Sequence, residues 1–149
     1  MISRISVFTR NKEALEEITH RVRDAVRRSG VQDGMCYLFV PHTTAGVVIN
    51  ENADPSVARD ILSQFEAMVP TRGHYQHLEG NAPAHIKATM VGTSAAVPVA
   101  KGRLALGRWQ GIFLAEFDGP RERDVVVQVM EAPAKRSAQG GPEPEAGQP

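Results

Sequence analysis

Apolar and polar positions in the N-terminal half of the chain follow two different periods. Residues 2–9 are short, β-branched and partly alternating, which predicts a strand. The next apolar positions recur at helical spacing, and they are Leu15, Ile18, Val22, Ala25 and Val26. Asn11 is placed to cap this segment and Gly30 to end it. The pattern therefore predicts a strand followed by a first helix with a charged outer face.

The middle of the chain predicts a buried strand, a break and a second helix. Residues 35–40 form an apolar run of strand length, Pro41 interrupts it, and residues 44–50 resume an extended pattern. Asp54 followed by proline is a strong helix start, because aspartate caps free amides and proline fits the first helical position. The helix that follows has one apolar face, formed by Val57, Ala58, Ile61, Leu62 and Phe65.

The second half of the chain is rich in strand patterns after one irregular stretch. Residues 69–83 lack periodicity, and Asn81 is placed to cap a short helix over residues 84–90. Turn signals then separate strand-like segments at 95–100, 104–106, 109–117 and 124–131. Their connections are too short for crossovers, so the pairing is mostly antiparallel. The predicted fold class is α+β, a mostly antiparallel, β-sandwich-like sheet of about seven strands with two main helices and one short helix.

Length and composition indicate one domain with an ordinary core. The chain has 149 residues, of which 42% are hydrophobic. Residues 1–131 carry the periodic pattern, whereas 132–149 are rich in Gly and Pro and predict a disordered tail. Lys plus Arg equals Asp plus Glu at 17 each, so the overall charge favours neither nucleic acid nor an anionic membrane as a partner.

The single cysteine and the absence of targeting patterns bear on the compartment. Cys36 lies inside an apolar run, so we expect a buried, unreactive thiol and no intrachain disulfide. A lone cysteine agrees with a reducing compartment. We see neither a signal-peptide pattern nor an apolar run near the ~20 residues of a transmembrane helix. The expectation is a cytoplasmic protein.

Three of the five histidines lie in segments predicted as loops or element ends, and they are His42, His77 and His85. Neutral imidazole is the commonest protein ligand of zinc. Three imidazoles with an open position make a catalytic type of zinc site, whose bound water loses a proton near neutral pH. The spacing of the three matches no local zinc signature, so scattered surface or capping histidines remain the alternative.

Two further groups of residues carry candidate chemistry. Glu51, Glu79 and Glu116 are the acidic candidates for a general base, a fourth metal ligand or a hydrogen-bond partner of a ligand. Hydroxyls and cations near glycine turns form a candidate anion-binding set of Thr43, Thr44, Lys87, Thr93, Ser94, Lys101 and Arg103. The alternative is ordinary, since charged side chains solvate surfaces and Thr and Ser stabilise turns.

Several stretches resemble the signatures of the YjbQ family. In chain order they are residues 41–46 (PHTTAG), 49–55 (INENADP), 75–81 (YQHLEGN), 84–87 (AHIK), 92–94 (GTS), 102–104 (GRL), 109–112 (WQGI) and 116–121 (EFDGPR). Their order and spacing match up to about residue 131, so the chain is identified as a member of that family. It departs from the pattern at Arg108, where the family often has threonine, and in the tail.

The resemblance implies a small cytoplasmic homotrimer whose strands pack as a sandwich flanked by helices. It places the family histidines on His42, His77 and His85 and leaves out His20 and His74. It also implies a weak, secondary thiamine-phosphate synthase activity. That transferase reaction joins a pyrimidine methyl pyrophosphate to a thiazole phosphate and releases pyrophosphate.

Three functional hypotheses follow. The first is a metal-binding protein with thiamine-phosphate synthase activity on a small phosphorylated molecule, using zinc or magnesium. Magnesium prefers oxygen ligands, so three histidines fit zinc and activated water better. The second is therefore a zinc-dependent hydrolase in which Glu51 or Glu116 carries the proton. The third is a non-catalytic trimer that binds a metal or a metabolite. In any trimer, Arg108 and Trp109 are the first candidates for completing the pocket of a neighbouring subunit.

Overall fold

Three helices and eight strands follow one another along residues 1–134, the part of the chain that the computed structural model describes. In chain order they are β1 (Ile2–Phe8), β2 (Ala14–Glu17), α1 (Thr19–Ser29), β3 (Gly34–Phe39), β4 (Ala45–Glu51), α2 (Pro55–Met68), α3 (Ala82–Val91), β5 (Ser94–Ala100), β6 (Arg103–Leu104), β7 (Gln110–Glu116) and β8 (Glu122–Glu131). The predicted α+β class is confirmed. The prediction of a disordered tail lies outside the described residues from 135 onward.

The strands form two sheets in which every pairing is antiparallel. The larger sheet has the order β1-β8-β3-β5-β6, and the smaller has the order β2-β7-β4. The longest strand, β8, pairs with β1 on one side and with β3 on the other. The antiparallel pairing predicted from the short connections is therefore correct.

The predicted start of the first helix is wrong. Residues 14–17 form β2 and pair with β7, with Ala14 opposite Glu116 and Glu17 opposite Phe113. The helix α1 begins only at Thr19, and Asn11 is an exposed residue well before it. Leu15 fits the helical spacing only by coincidence. In so short a segment, pairing with the distant strand β7 outweighs the local periodicity. The predicted end at Gly30 is correct, with Gly30 in the left-handed conformation at φ 73°.

The main core lies between the larger sheet, α1 and one face of the smaller sheet. Val22 of α1, Leu38 of β3, Ile112 of β7 and Val127 of β8 are all buried in it. Burying such a side chain stabilises the fold by about 1.5–3 kcal/mol. The other face of the smaller sheet packs against α2 and α3 in a second, smaller core. The result is a layered arrangement in which β7 is buried on both faces.

The second core joins the two later helices to the smaller sheet. Ala84 and Ala88 of α3 pack with Ala115 and Phe117, and α2 contributes Phe65, whose ring centroid is 6.0 Å from that of Phe117. Small residues on α3 let this helix approach the sheet closely. This contact fixes α3, and α3 carries one of the candidate histidines.

The predicted helix caps have different outcomes. The Asp54 side chain accepts a hydrogen bond from the Ser56 amide at 2.9 Å, as expected for an N-cap. Asn81 occupies the N-cap position of α3 but makes no side-chain cap bond, and its amide donates instead to Asp118 at 3.0 Å. Asn81 therefore ties the start of α3 to the turn that follows β7.

Two remaining predictions concern the cysteine and membrane segments. Cys36 is buried within β3, as predicted, and burial raises the pKa of its thiol to about 11, which disfavours the reactive thiolate. Within residues 1–134, none of the helices has the length and apolar character needed to cross a membrane.

Candidate functional site

A pocket of about 430 Å³ forms where the chain leaves β3 and where α3 ends. We call it the histidine pocket; its lining residues are His42, Thr43, His85, Ala88, Thr89, Gly92 and Thr93. Two backbone hydrogen bonds hold its walls together. The Val40 amide donates to the Thr93 carbonyl at 2.7 Å, and the Val47 amide donates to the Gly92 carbonyl at 3.1 Å.

A close approach between two glycines fixes the shape of this pocket. A Cβ atom at Gly46 would lie 2.4 Å from the carbonyl oxygen of Gly92, so no larger residue fits there without moving the backbone. The glycine of the 41–46 motif therefore lets the end of α3 lie directly on β4. That contact brings Thr93 beside the segment that carries His42.

Two of the three family histidines are direct neighbours. The ring centroids of His77 and His85 are 5.2 Å apart, and the planes are inclined by 84°. His85 is held on α3, whereas His77 comes from the loop before that helix. The carboxylate of Glu79 lies 3.7 Å from His77 Nε2, so it can pair with this imidazole when the latter is protonated. The irregular loop therefore places His77 beside His85, although His77 does not line the pocket.

His42 is fixed by the backbone of the opposite strand. Its Nε2 accepts a hydrogen bond from the Asp124 amide at 2.9 Å. A nitrogen that accepts carries no proton, so the neutral ring has its proton on Nδ1. Burial and the nearby Arg123 lower the pKa of His42, and the carboxylates of Asp124 and Glu116 oppose this only in part. His42 is therefore a neutral imidazole at pH 7 with one nitrogen already in use.

The predicted three-histidine metal site is only partly assembled within one chain. His77 and His85 are paired, and His85 shares the pocket with His42. In the described part of the chain, no group of three or more His, Cys, Asp or Glu side chains is arranged to hold a metal ion. The metal site thus stays a prediction. Of the other histidines, His20 lies on α1 beside Asp24 and His74 is exposed.

Glu116, predicted as a catalytic acid, lies beneath the pocket in a buried network. Both Glu116 and Arg123 are buried, and Arg123 Nε donates to Glu116 Oε1 at 2.9 Å. The Thr9 hydroxyl also donates to this carboxylate at 2.7 Å. Arg123 also donates to Glu116 Oε2 and to the side-chain and main-chain oxygens of Thr44. In the isolated chain, Glu116 and Thr44 therefore hold the fold rather than face the pocket.

Lys87, predicted to bind anions, is fully buried on the inner side of α3. Its ammonium donates to Glu13 at 2.6 Å and to Glu66 at 2.9 Å. Burial acts to lower the pKa of Lys87, but the two carboxylates outweigh it and the pKa is raised. The ammonium of Lys87 thus forms ion pairs that join α3 to α2 and to the segment before β2. In this chain it does not line the histidine pocket.

The remaining predicted residues fall at opposite ends of the sheets. Thr43 and Thr93 line the histidine pocket, and Ser94 is exposed at the adjacent start of β5. Glu51 ends β4 opposite Gln110, and the seven residues of that strand span roughly 20 Å. Arg103 pairs with Ala100 at the far end of β5. The predicted anion set is therefore divided between the histidine pocket, the buried contacts of Thr44 and Lys87, and the far end of β5.

Some residues of the site were missed from the sequence. Thr89 lines the pocket, and the Asp124 amide and Arg123 position His42 and Thr44. Thr89 lies four residues after His85 on the same helix, and that spacing is a usable signal for a shared face. A backbone amide such as that of Asp124 leaves no trace in the sequence pattern, so its role depends entirely on tertiary pairing.

Comparison with known proteins agrees with the motifs. Residues 3–132 match the family described as UPF0047 protein YjbQ-like. A UPF0047 protein of Methanocaldococcus jannaschii, MJ1081, is 45% identical over 130 residues, covering 87% of this chain and 94% of that protein. The UPF0047 protein YugU of Bacillus subtilis is 41% identical over 131 residues, covering 87% and 99% respectively.

Solved structures share the fold as well as the sequence. The crystal structure of a YjbQ/UPF0047 family protein from Clostridium acetobutylicum has a TM-score of 0.85 and 50% identity, covering 86% of this chain and 99% of that one. A YbjQ-like protein from Sulfolobus solfataricus has a TM-score of 0.86 and 36% identity, covering 89% and 97%. With sequence, length and fold in agreement, this chain belongs to the YjbQ/UPF0047 family.

Proposed function

We propose that this protein is a metal-binding cytoplasmic homotrimer that acts on a small phosphorylated molecule in the histidine pocket, with a weak thiamine-phosphate synthase activity. The observation that carries the proposal is that two imidazoles line one pocket and a third packs against one of them. His77 and His85 are 5.2 Å apart, and His42 and His85 line the same cavity. Imidazoles grouped at a cavity are a typical ligand source for a transition metal.

The donor set fits zinc better than magnesium. Neutral imidazole is a good zinc ligand, whereas magnesium prefers oxygen atoms and retains water. His77 and His85 would supply two ligands, and His42 a third if its Nε2 gives up the Asp124 amide. A bound zinc ion would supply positive charge toward a phosphate oxygen or acidify a bound water. The low pKa of His42 favours this, because a neutral ring is ready to bind a metal.

Hydroxyl groups supply the rest of the pocket's polarity. Thr43, Thr89 and Thr93 line it and can donate hydrogen bonds to phosphate oxygens. Among the described residues, no Lys or Arg side chain lines this cavity. A diphosphate substrate needs more positive charge than three hydroxyls provide. The proposal therefore assigns the missing charge to the metal ion and to a neighbouring subunit.

An exposed apolar face supports the proposed homotrimer. Tyr37 and Phe39 of β3 are 44% and 50% exposed on the outer face of the larger sheet. Ile2 of β1 and Met130 of β8 lie on the same sheet at 66% and 51% exposure. A contiguous patch of large apolar side chains is typical of a subunit interface. Size-exclusion chromatography with light scattering should give three times the chain mass of 16.2 kDa.

In the proposed trimer, a second cluster of motif residues would contribute to the histidine pocket of a neighbouring subunit. Glu51, Arg108 and Trp109 gather at the end of the smaller sheet opposite the histidine pocket, with the Asn52 amide bonded to the Trp109 carbonyl at 3.1 Å. Arg108 lies 4.9 Å from the Trp109 ring. In the proposed trimer this end of one subunit would complete the pocket of the next, supplying a cation, an aromatic surface and a carboxylate.

Zinc-dependent hydrolysis of a phosphorylated molecule is the second candidate, and the all-imidazole donor set favours it. Zinc hydroxide held by histidines is suited to attack on a phosphate ester. Such an enzyme needs a proton carrier at the pocket. Glu116 is buried against Arg123, so in this reaction Glu51 from a neighbouring subunit is the better carrier. The weak synthase activity would then be a side reaction.

Metal analysis of protein purified without an affinity tag tests the common premise. We expect about one zinc ion per chain, lost in His77→Ala and His85→Ala. His74→Ala is the matched control, because His74 is an exposed histidine of the same loop, and it should retain the metal. Full metal retention in both His77→Ala and His85→Ala would refute the site.

Activity assays then separate the candidates. Growth of a thiamine auxotroph that expresses the protein, together with pyrophosphate release in vitro, would support the synthase. Phosphate release from phosphate esters without growth rescue would favour the hydrolase. Bound zinc with neither activity would leave a binding protein, the third hypothesis. The variant Glu51→Gln should abolish the hydrolase reaction while leaving the metal in place.

A further inference from the structure

A second cavity lies away from the histidine pocket. It has a volume of about 680 Å³ and lies between the C-terminal half of α1 and the β5–β6 hairpin. We call it the basic pocket, and it is lined mainly by Arg23, Arg27, Gln32, Lys101, Arg103 and Leu104. Its size is within the range of cavities that hold small ligands.

Four of its lining side chains are cations, and none is a carboxylate. Within residues 1–134, the side chains of Arg23, Lys101 and Arg103 have neither an ion pair nor a hydrogen bond. Arg27 is the exception, since its guanidinium pairs with Asp24 at 2.7 Å. The whole chain has a formal charge of zero, so this local excess of positive charge is not a reflection of overall composition.

The surrounding negative groups are mostly engaged. The end of α1 turns its carbonyl dipoles toward this region, which disfavours anions. However, the Ser29 hydroxyl donates to the Val26 carbonyl at 2.6 Å, and the Gly30 amide donates to the Arg27 carbonyl at 3.3 Å. Asp33 accepts a hydrogen bond from the Lys101 amide at 3.4 Å. The cations therefore face a cavity whose neighbouring acceptors already have partners.

Lys101 has a backbone conformation that its residue type does not favour. It lies at the tip of the β5–β6 hairpin with φ of 52°, followed by Gly102 at 72°. Such two-residue turns prefer Asn or Asp followed by Gly, because a lysine gains no local hydrogen bond that offsets the crowding. A less favoured residue at a turn is consistent with a functional requirement for its side chain. Here that side chain is a cation at the mouth of a basic cavity.

We propose that the basic pocket binds a small molecule carrying two or more phosphate groups, with Arg23, Lys101 and Arg103 as its cationic ligands. Arg23 and Arg27 are one helical turn apart on the same face, and Arg103 approaches from the hairpin, so the charges surround the cavity rather than form a stripe. Leu104 and Val31 provide an apolar wall for the rest of the molecule. This binding site is independent of the histidine pocket and of any reaction there.

Calorimetric titration of the full chain with inorganic pyrophosphate tests the proposal. The background variant is His85→Ala, which removes a proposed metal ligand of the histidine pocket and so weakens any binding there. We expect Arg23→Gln and Arg103→Gln each to weaken binding about 10-fold, because each removes a charge-assisted hydrogen bond. Arg28→Gln is the matched control: it removes the same charge from the same helix but does not line the basic pocket, and binding should stay within about 2-fold.

Lys101→Asn separates binding from folding. Asparagine suits the left-handed turn, so the variant should melt at the same or a higher temperature than the parent while binding pyrophosphate more weakly. A purely structural role for Lys101 predicts unchanged binding, which would overturn its assignment as a ligand. Equal weakening by Arg28→Gln and Arg103→Gln would show diffuse charge attraction only. Tighter binding of a single-stranded oligonucleotide than of pyrophosphate would replace the small-molecule proposal with a nucleic-acid surface.

Discussion

The histidine pocket and the buried network beneath it contain residues of the same motifs but are held in opposite ways. In the 41–46 motif, Thr43 lines the pocket whereas Thr44 binds Arg123. In the 84–87 motif, His85 lines the pocket whereas Lys87 points into the protein toward two carboxylates. Residues adjacent in sequence thus belong to two layers, one open and one closed.

Membership of a sequence motif therefore does not tell whether a residue faces the pocket or belongs to the buried network. In the buried layer every charge has its partners, so these residues fix the positions of β4, β7 and α3. In the open layer the side chains keep spare hydrogen-bonding capacity, which a ligand or a metal needs. We expect substitutions in the buried layer to cost stability, and substitutions in the open layer to cost binding at nearly constant stability.

Removal of Arg123 should have the largest effect on stability. Arg123→Leu leaves Glu116 buried without its cationic partner, and breaking such a pair costs about 3–5 kcal/mol of unfolding free energy. Urea denaturation followed by circular dichroism measures this loss. Arg121→Leu is the matched control, since Arg121 is half-exposed and pairs with Asp118 at the surface; its loss should cost at most about 1 kcal/mol. Similar losses in the two variants would remove the distinction between the layers.

Lys87→Met should have a smaller effect and should change the response to acid. The aliphatic part is retained, and the orphaned Glu13 and Glu66 reach solvent in part, so we expect a loss of about 1–3 kcal/mol. A hydrogen bond from the Thr71 amide and then one from Lys87 lower the pKa of Glu66 to about 2. Because this folded-state pKa lies below the usual 4.5, the ionised Glu66 carboxylate contributes fully to the stability of the fold above pH 4.5. This stabilisation is lost as pH falls toward 2.

The acid titration gives an internal control for Lys87. In Lys87→Met the Thr71 amide still binds Glu66, so the pKa of Glu66 should rise only part of the way to 4.5. Carboxyl carbon shifts in NMR spectra follow this group directly. An unchanged pKa of Glu66 in the variant would mean that the Lys87 pair contributes little in solution. Glu13 would then be the main partner of the buried Lys87 ammonium.

The sequence predicted the architecture better than the assignment of residues to layers. The strands β3, β5, β7 and β8 and the helix cap at Asp54 were all predictable, because burial pattern and turn chemistry are local. β2 was not, because a four-residue strand exists only through pairing with β7. The sequence places Lys87 in an anion-binding set because it is a cation close to a glycine turn, whereas the structure buries it. Its carboxylate partners lie 74 and 21 residues away, beyond any local pattern.

The division of the anion set shows the same limit. Arg103 and Thr93 are ten residues apart and were grouped because both lie near glycines. The β5 strand between them carries them to opposite ends of the larger sheet, and Arg103 instead joins Arg23 of α1. The sequence predicts a charged outer face for the first helix, and Arg23 is an exposed residue of that helix. The cavity beside this face forms through the packing of α1 against the β5–β6 hairpin, which the sequence pattern does not show.

Two substitutions of His42 test the distinction between the layers. His42 lines the pocket and also accepts a hydrogen bond from the Asp124 amide. His42→Ala leaves the Asp124 amide without an acceptor and should cost about 1–2 kcal/mol. His42→Gln retains an acceptor at a similar distance from the backbone and should cost less than half as much. Chemical denaturation measures both. Neither variant has the imidazole, so both should weaken zinc binding if His42 is a metal ligand, which separates the two roles.

The pH dependence of His42 has a definite sign. Its folded-state pKa lies below 6.5, so its contribution to stability is complete above pH 6.5 and is lost as pH falls through the folded value. NMR titration of the imidazole protons reports this pKa. In His42→Gln that part of the acid sensitivity should disappear, whereas His74→Ala should keep it. A His42 pKa above 6.5 would mean that the ring is more exposed or closer to carboxylates than the distances here give.

Arg108→Thr should have the smallest effect on stability and the most informative effect on binding. Arg108 lies 4.9 Å from the exposed Trp109 ring, and an exposed cation–π contact contributes about 0.5–1 kcal/mol. Unfolding should therefore hardly change. In the proposed trimer, however, Arg108 supplies positive charge to the histidine pocket of a neighbour, so diphosphate binding there should weaken about 10-fold by titration in an Arg103→Gln background. Unchanged binding would place Arg108 on a solvent face and leave the metal as the main source of charge in the pocket.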